Sequence, residues 1–119
     1  IGSIPKRLGK KMNKKQIKII TEIESLLPKR MGAFVEKETQ YHTGRYQKRK
    51  QNAFVHCYDK NFSSFIFLFP VFWTYGREKQ TRILFHEIAH LRLHHSKKKN
   101  NEVEADKLAK RWMGEISKK

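Results

Sequence analysis

The segment ILFHEIAHLRLHH, residues 83–95, constrains this chain more than any other, because its spacing has a use on a helix. Residues four apart on a helix lie one above the other, so His86 and His90 share a face, with Glu87 one step further round. Ile83 falls on that face and His94 lies close by. Leu84, Ile88 and Leu91 form a second side, and Phe85, Ala89 and Leu93 a third. A helix that is apolar on its other sides is buried, and histidines on its remaining face need partners. A buried helix from about Arg77 to His95 is therefore the first expectation.

The chain has room for little else. Its 119 residues make one domain with a single modest core, and 38% hydrophobic residues are enough for it to fold. Cys57 is the lone cysteine, which excludes an intramolecular disulfide and makes a reducing, cytoplasmic setting the expectation. The longest apolar run, FIFLFPVFW at 65–73, is about half a membrane span and is broken by Pro70, so it reads as a buried strand. No apolar stretch follows the basic N-terminal part, and no signal peptide is expected. Residues 1–12 are set aside as an N-terminal extension or expression remnant, with Met12 a candidate first residue. The domain proper is taken as 13–114, and 115–119 as a C-terminal tail.

The net charge is +16, from 27 Lys and Arg against 11 Asp and Glu. Such a charge attracts polyanions, so nucleic acid is a partner to weigh. The basic residues are spread along the whole chain, however, and RYQKRK at 45–50 is a lone basic loop. A solvated surface is the simpler reading.

Asn13 is placed to cap a helix carrying Ile17, Ile20, Ile23 and Leu27, which ends before Pro28. RMGAFVEKE (30–38) reads as a first strand, followed by a polar, basic connection. AFVHCYD (53–59) alternates as a second strand, and a turn at Lys60 and Asn61 leads into a third at 62–73. After the helix at 77–95, SKKKN is a linker, and Asn101 caps a last helix to about Trp112, stopped at Gly114. The fold class is α+β: one helix, a three-stranded sheet and two helices.

His-Glu-x-x-His on a helix suits zinc, which takes histidine nitrogens at ~2.0–2.1 Å, with the glutamate able to reach a water on the ion. The position ten residues after His86, where one class of such sites takes a third histidine, is Ser96. NEVEADKLAKRW (101–112) offers acids instead. On a helix, Glu102 and Asp106 fall beside Ala105, Ala109 and Met113, at the edge of the stripe holding Leu108 and Trp112. Glu104 falls among Val103, Lys107 and Arg111, on the outer side. That geometry makes Glu102 the third ligand. It leaves Asp106 to accept the free N–H of a ligand histidine and fix its tautomer.

HEIAH followed by EVEAD resembles the gluzincin metallopeptidases, in which H-E-x-x-H is completed by E-x-x-x-D on a following glutamate helix. The short spacer and small size are similar to the minigluzincins, soluble miniature relatives of membrane metallopeptidase catalytic domains such as the HtpX type. The motif-level likeness covers about 83–112, and the element order extends it over most of 13–112. The resemblance implies a zincin-like minimal catalytic domain acting as a zinc metalloendopeptidase. One catalytic Zn2+ would be bound by His86, His90 and Glu102, with Glu87 as general base and acid. It also implies a peptide or unfolded-protein substrate, held by β-augmentation on the third strand or on the edge strand beside the active-site helix.

Gluzincins place a tyrosine or histidine beyond the glutamate helix to steady the oxyanion, and EISKK here contains neither. His94, His95 and Tyr75 are the substitutes. Minigluzincins also resemble small zymogens, and a domain of this size cannot build a second lobe over its cleft. The tail after Gly114 is therefore expected to hinge back as a latency segment, with Glu115 as an oxygen ligand, in a monomer or in a tail-swapped dimer. The rival reading from a different class is a nucleic-acid-associated regulatory protein on the same scaffold. His42 and His56 read as surface or strand residues, Cys57 as a small buried hydrophobe, and Trp73 and Trp112 as core.

Overall fold

The computed structural model describes residues 12–45, 47, 51–56, 64–93 and 101–117. Helix α1 (Lys14–Ser25) begins at the expected cap: the Asn13 side chain accepts from the Gln16 backbone N–H, and the Gln16 side chain accepts in return from Asn13. Ile19, Ile20, Ile23 and Leu27 enter the core. Met12, assigned to the N-terminal extension, is also buried there and belongs to the packed core.

The next element corrects the sequence reading. Residues Lys29–Glu38 form helix α2, not a strand. Met31 and Val35 are buried and Phe34 is half-buried, a three- and four-residue spacing that fits one helix face better than a two-residue alternation. The first strand comes afterwards, as β1 (Thr39–Thr43), inside the stretch read as a connection. Only Thr39 and Tyr41 of it turn inward, so it has no apolar run to announce it. The Tyr41 hydroxyl donates to Glu24 Oε2 at 2.8 Å, tying this strand to α1.

Strands β2 (Ala53–His56) and β3 (Ser64–Leu68) complete a mixed sheet in the order β1-β3-β2, with β1 parallel and β2 antiparallel to β3. The sheet has the expected number of strands, but with Thr39–Thr43 in place of 30–38 and a shorter third strand. Pro70 ends it, and Pro70–Thr74 wind into a 3₁₀ turn that buries Phe72 and half-buries Trp73. The expected turn at Lys60 and Asn61, and Cys57, lie outside the described residues.

Helix α3 (Arg77–Arg92) runs through the core, with Leu84, Phe85, Ile88, Ala89 and Leu91 all buried. It ends before His95. Leu93, expected on its third apolar side, caps the last turn and is 39% exposed. Helix α4 (Asn101–Ser117) lies against α3, and Phe85 meets Trp112 edge to face at 6.0 Å between ring centroids. No helix among the described residues is long and apolar enough to cross a membrane.

Gly114 does not stop α4. Ala109, Trp112, Met113 and Ile116 continue one apolar stripe past it, and their packing offsets the ~1 kcal/mol that glycine costs a helix relative to alanine. The hinge expected at Gly114 is therefore replaced by helix up to Ser117. Glu115, expected as a possible ligand, instead faces Arg30 with Nη2–Oε1 at 3.3 Å. This arrangement ties Glu115 to α2, with Ile116 packed against the core.

Candidate metal centre

Packing sets the site. α3 and α4 run antiparallel, with the end of α3 beside the beginning of α4 and Phe85 nearer the middle against Trp112. Ala105 and Ala109 are small and buried, which lets α4 approach closely and sets Glu102 over the histidine face. His86 Nε2 lies 2.7 Å from Glu102 Oε2, and His90 Nε2 lies 3.1 Å from Glu102 Oε1. The two Nε2 atoms are 3.1 Å apart, with the rings nearly perpendicular at 86°. One ligand atom from each of the three residues falls within a 4.8 Å span.

These residues fit a zinc ion. Donors at ~2.0–2.1 Å around a tetrahedral centre sit about 3.3 Å from one another, close to the separations found here. The donor set is also of the right kind: two imidazole nitrogens and a carboxylate oxygen, close to one another. All three are residues that helix spacing singled out, and the fold brings them together. Glu104 is exposed and takes no part in the cluster.

Glu87 is half-buried and lines an adjoining cleft of about 440 Å³. Burial pushes its carboxyl up to about 8, and the nearby Glu102 carboxylate adds to the rise. The folded protein without metal thus keeps a proton on Glu87 that the unfolded chain releases near pH 4.5. Stability measured by urea unfolding in chelator is therefore expected to fall as pH rises from about 4.5 to about 8. Glu87→Gln should remove that slope, and an unchanged slope would place its source elsewhere.

Asp106 lines the same cleft as His86 and Glu87, but among the described residues its ion pair is with Lys110, at 3.0 Å. Of the three oxyanion candidates, His94 and His95 lie outside the described residues. The Tyr75 hydroxyl donates to Asn52 Oδ1 at 2.7 Å, and Asn52, not Tyr75, lines the cleft. His42 is exposed on β1.

Asn52 is the residue that sequence reasoning missed, because it sat in a stretch read as connection. Several bonds fix that stretch. Gln47 Oε1 accepts from the Val71 backbone N–H at 2.8 Å, Gln47 Nε2 donates to the Gln51 carbonyl at 2.7 Å, and the Asn52 carbonyl accepts from Phe69. They hold the start of β2 against the 3₁₀ turn and bring Asn52 and Ala53 to the cleft wall.

The two strands considered for substrate hold different places in the sheet. β3 is central, whereas β2 lies beside α3 and pairs only with β3 among the described residues. No protein-family model, curated protein or solved structure matches the chain.

Proposed function

We propose that this chain is a zinc-dependent metallopeptidase that hydrolyses peptide bonds in a peptide or unfolded protein. The observation that carries this reading is the convergence of His86 Nε2, His90 Nε2 and a Glu102 oxygen within 4.8 Å, beside a cleft lined by Glu87. Zinc held there supplies Lewis acidity, which lowers the pKa of water towards neutrality and polarises a carbonyl. Glu87 takes the proton from the attacking water and returns it to the leaving amine, a role that its half-buried position at the cleft wall allows. Asn52, its Oδ1 occupied by the Tyr75 hydroxyl, offers amide N–H donors to the substrate at the cleft wall. The edge of β2 that no described strand pairs would align an extended substrate by main-chain hydrogen bonds.

Metal analysis of the full chain, combined with digestion of an unfolded protein with and without chelator, tests the reading. One zinc per chain and chelator-sensitive cleavage are expected. Bound zinc without any cleavage would reduce the site to a structural one.

Asp106 has the further role of orienting a ligand histidine. Asp106→Asn should weaken zinc binding by ~10–100-fold, less than removal of a ligand does. An unchanged affinity in a competition titration would leave Asp106 only its ion pair with Lys110.

A further inference from the structure

The cleft extends from Glu87 towards the N-terminal end of α3, and its lining changes character along the way. Ile83, Ala109 and Met113 give it an apolar floor, and Lys79, Arg82 and Lys110 surround that floor with cations. Two of the three cations are engaged. Lys110 Nζ is 3.0 Å from Asp106 Oδ2, and Lys79 Nζ sits 3.9 Å from the centre of the Tyr75 ring. Arg82 is exposed and has neither ion pair nor hydrogen bond among the described residues. It stands one helical turn before His86, so its guanidinium belongs to the same face of α3 as the metal ligands.

We propose that this part of the cleft selects substrates carrying a carboxylate next to the scissile bond, with Arg82 as the residue that reads it. The proposal rests on the peptidase reading for the identity of the occupant. The chemistry is that of a planar fork of N–H donors meeting two carboxylate oxygens, while Ile83 and Met113 cover the methylene stem. A cationic rim around an apolar floor favours glutamate-like groups over lysine or a plain aliphatic, because only the first satisfies both. The chain's +16 charge supports the same selection at a distance by attracting acidic polypeptides. Two sources present this group: an acidic side chain within a peptide, and the C-terminus of a peptide.

The test measures binding, so that it does not depend on turnover. Fluorescence anisotropy is recorded with the zinc-loaded Glu87→Gln chain, and again in chelator, where a carboxylate can no longer be held by the ion. Three labelled peptides of one length are compared: internal Glu with an amidated end, internal Gln with an amidated end, and internal Gln with a free C-terminus. The first is expected to bind about tenfold more tightly than the second, with and without zinc. Tighter binding of the third than of the second assigns the C-terminal carboxylate as a source as well. Adding Arg82→Gln, an exposed change compatible with the helix, should bring the Glu and Gln peptides within about twofold of each other. Adding Arg82→Glu should turn the preference towards an internal Lys.

Equal affinity for the Glu and Gln peptides, or a preference that survives Arg82→Gln or disappears in chelator, would overturn the proposal. So would a single-stranded oligonucleotide that binds through Arg82 and displaces the Glu peptide at lower concentration, because the cation would then serve phosphate. The two readings fail separately: Arg82-dependent binding without cleavage by the wild-type chain removes the peptidase, whereas cleavage indifferent to a carboxylate removes only the selection.

Discussion

Glu87→Gln is expected to lower peptide hydrolysis by about 10²–10⁴-fold while zinc content and fold stay intact. The substitution keeps the shape of a half-buried side chain at the cleft wall and removes only its capacity to accept and return a proton. Glu87 is not among the converging ligand atoms, so the metal should be retained. Stability should not suffer either, because the glutamate carboxylate is costly where it stands: burial holds its carboxyl up to about 8. The comparison is a rate measurement on a quenched peptide, alongside zinc stoichiometry and thermal unfolding. Full activity in the variant would remove Glu87 from the chemistry. Loss of zinc together with activity would mean that the residue supports the metal instead.

The second large effect separates two glutamates that sit two residues apart. Glu102→Ala is expected to lower zinc affinity at least about tenfold, and by more than Asp106→Asn does, since it removes the one carboxylate of the cluster. Glu104→Ala should leave the affinity nearly unchanged. Both side chains are exposed in the first turn of α4, so both contribute similarly to the helix dipole, and neither variant opens a cavity. What differs is direction. Glu102 reaches His86 at 2.7 Å and His90 at 3.1 Å, whereas Glu104 lies on the outer side and takes no part in the cluster. A chelator competition titration on the two variants decides it, and equal losses would remove Glu102 as a ligand.

Helix periodicity explains why so much of this centre was legible beforehand. The spacing of His86, Glu87 and His90 is a statement about one helix, and the faces of α3 and α4 follow from 3.6 residues per turn without any tertiary information. The cap at Asn13 was similarly local, being a side-chain bond within one turn. Glu102 could be chosen over Glu104 because the buried alanines on α4 mark which side faces inward.

Features that depend on which segments meet were not readable in this way. Residues 30–38 carry only Met31, Phe34 and Val35 at helical spacing, a pattern too short to announce a helix until packing against neighbours buries that face. β1 hides in TQYHT because it pairs with β3 by backbone hydrogen bonds, which leave no trace in side-chain type. The continuation of α4 through Gly114 depends on Ile116 finding the core and on Glu115 finding Arg30, 85 residues away along the chain. Asn52 reaches the cleft only because Tyr75, Gln47 and Phe69 hold its loop there. The local code thus determined the two helices and the candidate ligands they bear. Long-range packing decided the edge strand beside them, the cleft wall and the course of the C-terminal segment, since those rest on contacts between residues whose spacing in the sequence carries no period.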